Sequence, residues 1–330
     1  MANFCYICRA MNSFGRIFKV SIFGESHGET IGATIDGVPE GIPVSLDDFS
    51  EDIARRMPQG QAGTSRHELD IPRIVSGLYE GHTTGAPLTI LFDNDNTRPS
   101  DYEQFDRMPR PGHADYVAAV KWDWNNDPRG GGHFSGRLTL PVVAAGVIAK
   151  KVLEGMEFHS SVVELGGEKD HAKWDGMISG AAAEGDSLGA VVECRVDNVP
   201  IGLGEPFWDS VESLISHAVF SIPGVRGIEF GDGFRSSAMK GSEHNDPFGP
   251  EGPVKNGAGG INGGITNGAP IIFRVAVKPT SSISKPQQTY DFKDEKMATL
   301  RIKGRHDVCF ALRTPVIIEA MTALVLADLV

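Results

Sequence analysis

A chain of 330 residues, 40% hydrophobic and 22% charged, has the composition of an ordinary globular protein. Its net charge of −12, from 31 basic and 43 acidic residues, argues against nucleic acid or an anionic membrane surface as the main partner. The longest apolar run, 316–330, contains Glu319 and Asp328, so we predict a buried helix there and no membrane span.

The predicted elements alternate between strands and helices. Runs of β-branched residues predict strands, and apolar residues at spacings of three and four with capping residues predict helices. This interleaving indicates an α/β or α+β layered protein. In chain order we predict a strand at Lys19–Phe23, helices at 45–58 and 138–154, a strand at 190–199, a helix at 210–220, a strand at 270–277 and a last helix from Thr314 and Pro315 onward.

Glycine and proline recur along the whole chain, and no change of composition or internal repeat marks a linker. The pattern predicts many short elements joined by glycine turns around one core. In the helix at 138–154, the small residues Ala144, Ala145 and Gly146 predict the close approach of another element.

The cysteines are scattered, and no secretory signal precedes them, which favours a reducing cytoplasm over a disulfide framework. Cys5 and Cys8 have the Cys-x-x-Cys spacing of some metal and redox sites. Because no second cysteine or histidine pair follows at zinc-finger spacing, we predict no metal site.

Four histidines lie in glycine-flanked loops: His27, His113, His133 and His306. Glycine lets backbone or ligand approach the imidazole closely, and imidazole is the side chain best suited to moving protons near neutral pH. Any one of them could be a turn histidine that bonds its own backbone. Four such loops in one chain favour a shared site.

The first of these loops also matches the Gly-x-Ser-x-Gly nucleophile elbow, with Ser26 at its centre. That motif needs a strand, a sharp turn and then a helix. Residues 29–35 are β-branched and interrupted by glycine, so they predict no helix. A serine hydrolase using Ser26 is the weaker alternative. Neither a phosphate-binding loop nor a dinucleotide-binding glycine motif occurs in the sequence.

Arginines cluster near the same loops. Guanidinium groups match carboxylate and phosphate geometry with two parallel hydrogen bonds. A solvated basic face is the alternative, but placement in glycine- and histidine-rich loops favours an anion site. Two further segments, at 256–265 and 278–282, offer backbone N–H groups and hydroxyls that could bind a flat ring or a phosphate. The alternative is that both segments are simple turns. The arginines are Arg55, Arg56, Arg66, Arg107, Arg110, Arg129, Arg137 and Arg305.

In their order along the chain, the motifs resemble the chorismate synthase family. The resemblance runs from about residue 13 to the C terminus, and so many motifs in register do not arise by chance. It implies one domain at 13–330, with residues 1–12 as a flexible extension outside it. The motifs are Phe14-Gly15, Gly24-Glu25-Ser26-His27-Gly28, Asp36-Gly37-Val38-Pro39, Arg110-Pro111-Gly112-His113-Ala114-Asp115, Arg129-Gly130-Gly131-Gly132, Gly231-Asp232-Gly233-Phe234, Lys278-Pro279-Thr280-Ser281-Ser282 and Gly304-Arg305-His306-Asp307.

The resemblance implies a β-α-β sandwich fold, a homotetramer and a 1,4-elimination. The substrate would be 5-enolpyruvylshikimate 3-phosphate, the products chorismate and phosphate, and the cofactor reduced FMN, with NADPH as a possible reductant. The hydrogen that departs is not acidic, so a carboxylate or imidazole alone is a poor base for it. An electron-rich flavin can feed charge into the substrate, while the protein places the reacting atoms and manages protons.

The resemblance also implies roles for particular residues. His27 would protonate the leaving phosphate, His113 would adjust the protonation of the flavin, and Asp307 would work with flavin N5 to remove the proton. Four arginines would bind the substrate anions: Arg56, Arg66, Arg129 and Arg137. Of these, Arg56 and Arg66 would also contact NADPH where it is used. FMN would contact His133, Phe134, Ser135, Pro223, Gly224, Gly263, Lys278, Pro279, Thr280, Ser281, Ser282 and Arg305.

The chain departs from the family pattern after Gly132. Where the family commonly has Arg-Ser-Ser/Ala-Arg-Glu-Thr, this chain reads His133-Phe134-Ser135-Gly136-Arg137-Leu138-Thr139. Histidine is mostly neutral at pH 7 whereas arginine is always charged, so an anion contact at His133 would be weaker and pH-dependent. Phe134 removes a hydroxyl, and Leu138 removes a carboxylate. A non-catalytic flavin- or anion-binding protein with the family fold is therefore a second alternative.

Overall fold

The computed structural model describes residues 12–58, 63, 68–96, 102, 104–105, 107–250, 252–303 and 306–330. The helices of these residues are α1 (Ser50–Arg56), α2 (Asp115–Lys121), α3 (Thr139–Val152), α4 (Trp174–Glu184), α5 (Val211–Phe220), α6 (Gly241–His244) and α7 (Pro315–Ala327). Their strands are β1 (Ser13–Phe14), β2 (Lys19–Phe23), β3 (Thr30–Asp36), β4 (Arg73–Ser76), β5 (Leu78–Tyr79), β6 (His82–Thr83), β7 (Leu88–Asp93), β8 (Glu157–Leu165), β9 (Ala190–Asp197), β10 (Val225–Phe230), β11 (Phe248–Gly249), β12 (Gly252–Pro253), β13 (Ile261–Asn262), β14 (Ile265–Thr266), β15 (Ile271–Val277), β16 (Gln287–Asp291) and β17 (Lys296–Leu300).

Two antiparallel sheets form the outer layers. The first has five strands in the order β1-β2-β3-β7-β4, and the second has four in the order β10-β15-β9-β8. In the second sheet, the register of β15 against β9 runs from Ile271 opposite Val196 to Val277 opposite Ala190. Buried residues alternate along both of these strands, so the sheet turns one face to the core and the other to solvent.

Helices α3 and α7 lie between the sheets. Helix α3 packs against β3 and β7, helix α7 packs against β8 and β9, and the two helices pack on each other. A Cβ added at Gly146 of α3 would lie 2.4 Å from the Cβ of Ala320 in α7. The predicted close approach is therefore confirmed, and its partner is the last helix. This sheet–helix–sheet sandwich confirms the predicted layered α/β class.

The predicted elements are found close to their predicted bounds. The strand Lys19–Phe23 is β2 without change. At the predicted helix start, the backbone N–H of Ser45 donates to Asp48 Oδ2 at 2.7 Å, and one 3₁₀ turn leads into α1. Helix α7 has Pro315 in its first turn and is buried on nearly all faces, as its apolar sequence predicts.

Strands β2 and β3 form an antiparallel hairpin, with Lys19 opposite Asp36 and Phe23 opposite Gly32. The nucleophile elbow needs a helix after its turn, but here a strand follows. The side chain of Ser26 is also buried rather than displayed at the top of a sheet. The serine hydrolase interpretation is therefore wrong.

The two cysteines within the described residues, Cys194 and Cys309, are buried free thiols. Burial raises the pKa of both, that of Cys309 to about 11, so neither is a reactive thiolate near neutral pH. Cys5 and Cys8 lie outside the described residues, as does the predicted extension apart from Asn12. Across the described part of the chain, every helix falls short of the length and apolar character needed to cross a membrane.

Candidate active site

A cavity of about 740 Å³ lies where the two sheets and the central helices meet. Strands β1 and β2 line it from the edge of the first sheet, β10 from the edge of the second, and α3 and α7 from between them. Segments 110–114, 133–139, 278–282 and 306–313 complete the wall. Its volume is within the range of about 300–1,000 Å³ that small-molecule sites occupy. Motifs far apart in sequence thus converge on one space.

The triple-glycine loop lies between two of the predicted histidines. Gly130 and Gly131 have φ values of +62° and +83°. A Cβ added at Gly130 would lie 2.3 Å from His27 Nδ1, and one added at Gly131 would lie 3.3 Å from His113 Cε1. Only glycine fits where backbone and imidazole approach so closely. The loop therefore brings His27 and His113 to the same region, as predicted.

His27 is held by packing on several sides. The side-chain amide of Asn94 donates to the carbonyl oxygens of Glu25 at 3.1 Å and of Gly28 at 2.8 Å, which fixes the turn that carries the histidine. The ring of Tyr102, which lines the cavity, meets the His27 ring edge-on with centroids 5.0 Å apart. His27 is 8% exposed, so its orientation is set by the protein.

His113 lines the cavity and touches a carboxylate. Its Nδ1 lies 2.6 Å from Asp115 Oδ1, and the guanidinium of Arg110 binds the same carboxylate at 2.7 Å. Burial lowers the pKa of His113, and Asp115 opposes this only in part. The ring is therefore neutral near pH 7 and can accept a proton through its free nitrogen.

Two of the predicted anion-binding arginines, Arg56 and Arg137, are buried in the cavity wall. Both bind Asp70: the contact from Arg137 is a short hydrogen bond, and Arg56 Nη1 lies 3.5 Å from Oδ2. Arg137 Nε also donates to Asn94 Oδ1 at 2.9 Å, and its Nη2 lies 3.7 Å from Glu68. Fixed forks of this kind suit carboxylate and phosphate groups.

The arginines of this wall repel one another. Burial lowers the pKa of Arg56, and the positive charges of Arg313 and Arg137 lower it further, whereas Asp70 and Asp307 raise it. Desolvated like charges at one place favour the entry of an anion, which would relieve the repulsion. The cavity is therefore electrostatically suited to an anionic ligand even though the whole protein is acidic.

We expect inorganic phosphate to stabilise the protein through this cluster. A ligand at about 100 times its Kd adds about 2.7 kcal/mol to the free energy of unfolding. The Arg56→Gln variant should gain distinctly less, whereas Arg195→Gln, which alters an exposed pair with Asp197, should match the wild type. Thermal unfolding over a phosphate titration measures the difference. Equal stabilisation of all three proteins would contradict an anion site at Arg56.

Asp307 lies in the cavity wall beside Arg313, whose Nη2 is 3.5 Å from Asp307 Oδ2. The two side chains are each 12% exposed. Among the described residues, Arg313 Nε and Thr280 Oγ1 are buried with no hydrogen-bond partner. Buried polar atoms are normally paired, so these two atoms in one cavity wall indicate groups that a ligand would satisfy.

The segment Lys278–Ser282 also lines the cavity, as the resemblance implies. Lys278 Nζ donates to Gly112 O at 2.6 Å, and Ser281 Oγ donates to the same oxygen at 2.8 Å. Arg110 Nη1 donates to Ser282 Oγ at 3.0 Å. The hydroxyl-rich segment is therefore held against the loop that carries His113.

The remaining predicted residues divide into three groups. His133, Phe134, Ser135, Pro223 and Gly224 line the cavity. Arg129 instead pairs with Asp127 at 2.8 Å with its side chain 46% exposed, and Gly263 lies at the turn between β13 and β14; neither belongs to the described cavity wall. Arg66 and Arg305 lie outside the described residues.

His133 differs from the expectation of an anion contact. Its Nδ1 lies 2.8 Å from Gly24 O, and its Nε2 lies 3.2 Å from Asn12 Oδ1. Both ring nitrogens thus face oxygens of the protein itself. In this arrangement His133 ties the glycine loop to the turn after β2.

Four residues of this site were not among the predicted ones: Glu68, Asp70, Asp115 and Arg313. Arg110 was predicted, as part of an anion site. Arg110 and Asp115 flank His113 within one motif, so their short spacing was an available signal. Arg313 carries no signal of its own, because it lies on a 3₁₀ turn just before α7 and reaches the cavity only through the fold. The two other acids are recognisable only once their arginine partners are known.

Taken together, the fold and the site define a class of protein: a layered α/β enzyme with one large cavity, lined by buried arginines and suited to a small anionic ligand. Within the described residues, no group of three or more histidine, cysteine or acidic side chains could hold a metal ion.

Comparison with known proteins gives the particular family. A family model described as chorismate synthase matches residues 18–330. A chorismate synthase of Chitinophaga pinensis is 54% identical over 321 residues, and one of Korarchaeum cryptofilum is 44% identical over 346, each covering 96% of both chains. A crystal structure of chorismate synthase superposes with a TM-score of 0.72 at 25% identity, over 96% of this chain and 92% of the other. The chain belongs to the chorismate synthase family, and it is a lyase of the shikimate pathway.

Proposed function

We propose that this enzyme converts 5-enolpyruvylshikimate 3-phosphate to chorismate and phosphate by a 1,4-elimination with reduced FMN. The observation that carries the proposal is one cavity whose wall contains His113, Asp307 and buried guanidinium groups, with His27 packed against Gly130 of the same wall. The substrate would carry a phosphate and two carboxylates, and the cavity supplies several cations to meet them. Its wall also has apolar patches at Phe134 and Phe310 that suit a flat ring.

The residues present fit FMN. The cavity volume suits a cofactor with a substrate beside it, and Thr280 Oγ1 and Arg313 Nε are buried polar atoms that a ligand would satisfy. Within the cavity wall, Ser135, Pro223, Gly224 and the segment 278–282 would hold the cofactor. When bound and reduced, the flavin supplies the electron density that the elimination needs.

The protein's own side chains would then bind the substrate and manage protons. Arg56 and Arg137 would bind its anionic groups, in part by exchanging their contact with Asp70 for the ligand. His27 would donate a proton to the departing phosphate. His113 would adjust the protonation state of the bound flavin. Asp307 would assist the removal of the substrate proton rather than act as its only base, and Arg313, at 3.5 Å, would fix the position of its carboxylate.

Further properties of the protein are part of the same proposal. We expect one domain over 13–330, a homotetramer, and a cytoplasmic location, with which the buried free thiols of Cys194 and Cys309 agree. We also expect the enzyme to act on a small molecule only. NADPH is the candidate reductant, for which Arg56 and Arg66 are the proposed contacts.

The test is anaerobic incubation of the enzyme with chemically reduced FMN and 5-enolpyruvylshikimate 3-phosphate. We expect phosphate release together with the absorbance of a new conjugated diene. His27→Asn should lower the rate by about 10²–10⁴-fold, the usual contribution of a proton-transfer residue. His159→Asn should not, because His159 is an exposed residue of β8. A parallel reaction with NADPH as sole reductant decides whether the enzyme reduces its own flavin.

A non-catalytic flavin-binding protein is the competing function, and the departures at His133 and Leu138 are the features that favour it. It would bind FMN tightly yet release no phosphate under any reducing condition. Titration of FMN fluorescence on the same sample separates the two outcomes, since binding without turnover would contradict the lyase proposal.

A further inference from the structure

We propose that Asp115 is a positioning residue that holds His113 in the tautomer with the proton on Nδ1, so that Nε2 is the nitrogen left to exchange protons with a ligand. The proposal rests on the proposed function for the role of His113, but its structural content does not depend on turnover. It extends that function to a carboxylate and an arginine that act through the histidine.

The contacts of Nδ1 decide which tautomer forms. Nδ1 lies 2.6 Å from Asp115 Oδ1 and 3.1 Å from Arg110 Nη2. A carboxylate only accepts hydrogen bonds, so the shorter contact requires a proton on Nδ1. The guanidinium only donates: one hydrogen of its Nη2 goes to Asp115 Oδ1 at 2.7 Å, and the other faces Nδ1 across the longer distance of 3.1 Å. The contact of Nδ1 with the carboxylate is the shorter one, and without a proton on Nδ1 it would place two lone pairs against each other. The proton therefore belongs on Nδ1, and Nε2 carries the free lone pair.

Asp115 is itself fixed by contacts with Arg110. Its Oδ2 accepts from the backbone N–H of Arg110 at 3.0 Å and from Arg110 Nε at 2.7 Å. The guanidinium donates on to Ser282 Oγ, and its carbon lies 4.4 Å from the centre of the Phe105 ring. Both charged side chains are more than nine-tenths buried. A carboxylate held in this way can orient an imidazole without moving.

Burial keeps the histidine neutral, and the surrounding charges act on it in both directions. The groups that act on it are Asp115 and Arg110 from its own loop and Lys278 from the segment after β15. Burial lowers the pKa of His113, and the two cations lower it as well, while Asp115 raises it in part. Hydrogen bonds from Arg110 and His113 outweigh the burial that would raise the pKa of Asp115, so that carboxyl stays ionised. Asp115 therefore orients the ring rather than fully charging it.

A purely structural role is the competing explanation, since the contact between Asp115 and the Arg110 backbone also closes the loop at 110–115. The Asp115→Asn variant separates the two. Arg110 donates twice to the Oδ2 position and once to the Oδ1 position, so the amide oxygen should occupy the first and the NH₂ group should face His113. An NH₂ group donates, and it would force Nδ1 to accept and move the ring proton to Nε2.

The experiment is ¹⁵N NMR of histidine-labelled protein at pH 8 without ligand, with the His113 signals identified by their loss in His113→Gln. We expect the wild type to carry the proton on Nδ1 and Asp115→Asn to carry it on Nε2. The matched control is Asp197→Asn, which alters an exposed carboxylate bound by Arg195 and should leave the His113 signals unchanged. A wild-type proton on Nε2, or an unchanged tautomer in Asp115→Asn, overturns the proposal.

Kinetics on the same proteins adds a second readout. In the anaerobic assay we expect kcat of Asp115→Asn to fall by about 10²–10⁴-fold, because the wrong tautomer removes proton transfer. A loss below about threefold overturns the functional part of the proposal. If Asp115→Asn does not fold, the NMR measurement of the His113 tautomer in the wild type alone decides whether the proposal stands. Absence of turnover in the wild type would instead count against the proposed function and leave the NMR result standing.

Discussion

Replacing Gly130 with alanine should lower turnover by at least about 100-fold while leaving the protein folded. The added Cβ would lie 2.3 Å from His27 Nδ1 and 2.6 Å from Ser26 Oγ, closer than non-bonded atoms approach. His27 is buried between the glycine loop and Tyr102, so its ring has to leave the position from which it would reach the phosphate. Loss of a positioned proton donor costs about 10²–10⁴ in rate.

The backbone conformation of Gly130 calls for a matched control, because any residue other than glycine is strained at φ +62°. Gly167 has φ +88°, and an added Cβ there meets no heavy atom within 4 Å. Gly167→Ala therefore has the backbone strain without the steric clash, and should lose stability but keep its rate. Steady-state kinetics and urea unfolding of both variants measure the two effects. Turnover of Gly130→Ala within threefold of the wild type would contradict this account of His27.

The layers of the fold follow from patterns that are local in the sequence. β-branched runs specify β2, β9 and β15, and capping residues specify the start of α1, because these signals act within a few residues. Gly146 among alanines indicated a close helix contact, but not that Ala320 would be the partner. Which elements meet is decided by burial of the whole chain, and no short segment contains that information.

The site was predictable to the extent that its residues stand in recognisable motifs. His27, His113 and Lys278 line or adjoin the cavity as the resemblance implies. The pairing of Arg137 with Asp70 could not be predicted, because those residues are 67 positions apart and meet only in the fold. Arg129 illustrates the same difficulty. It was predicted to bind the substrate, but it pairs at the surface with Asp127, two residues before it in the sequence. Sequence identifies a charged group more readily than it identifies what that group will bind.

The second large effect is expected at Glu319 in α7, whose carboxylate is completely buried. It accepts from Arg55 Nη1 at 2.8 Å and Nη2 at 2.6 Å, from Lys150 Nζ at 3.0 Å and from Ser160 Oγ at 2.6 Å. These contacts join α7 to α1, α3 and β8, and Arg55 adjoins the cavity residue Arg56. We expect Glu319→Gln to lower the free energy of unfolding by about 3–5 kcal/mol, because it removes the buried charge that Arg55 and Lys150 share and turns an NH₂ group towards their donors, leaving Asp52 as their remaining ionic partner.

The stabilisation by Glu319 should depend on pH in a defined direction. Burial would raise the pKa of Glu319, but the hydrogen bonds of Arg55 and the charge of Lys150 outweigh it, so the pKa is lowered overall. A carboxyl with a lowered pKa stabilises the fold fully above its unfolded pKa of about 4.3, and the contribution is lost as pH falls through the folded value. The gap between wild type and Glu319→Gln should therefore be widest near pH 7 and narrow below about pH 4.

Urea unfolding of both proteins between pH 3.5 and 7 tests this dependence, with those limits set around the reference pKa of about 4.3. The control is Glu193→Gln, since Glu193 binds Arg274 at 3.2 Å in an exposed pair that should contribute only about 0.2–1 kcal/mol. If Glu319→Gln cost no more than this control, the attraction of Arg55 and Lys150 would merely balance the desolvation of the carboxylate. Helix α1 would then have to be held, with Arg56 in place, by the packing of Phe49 and Ile53 rather than by the buried charge.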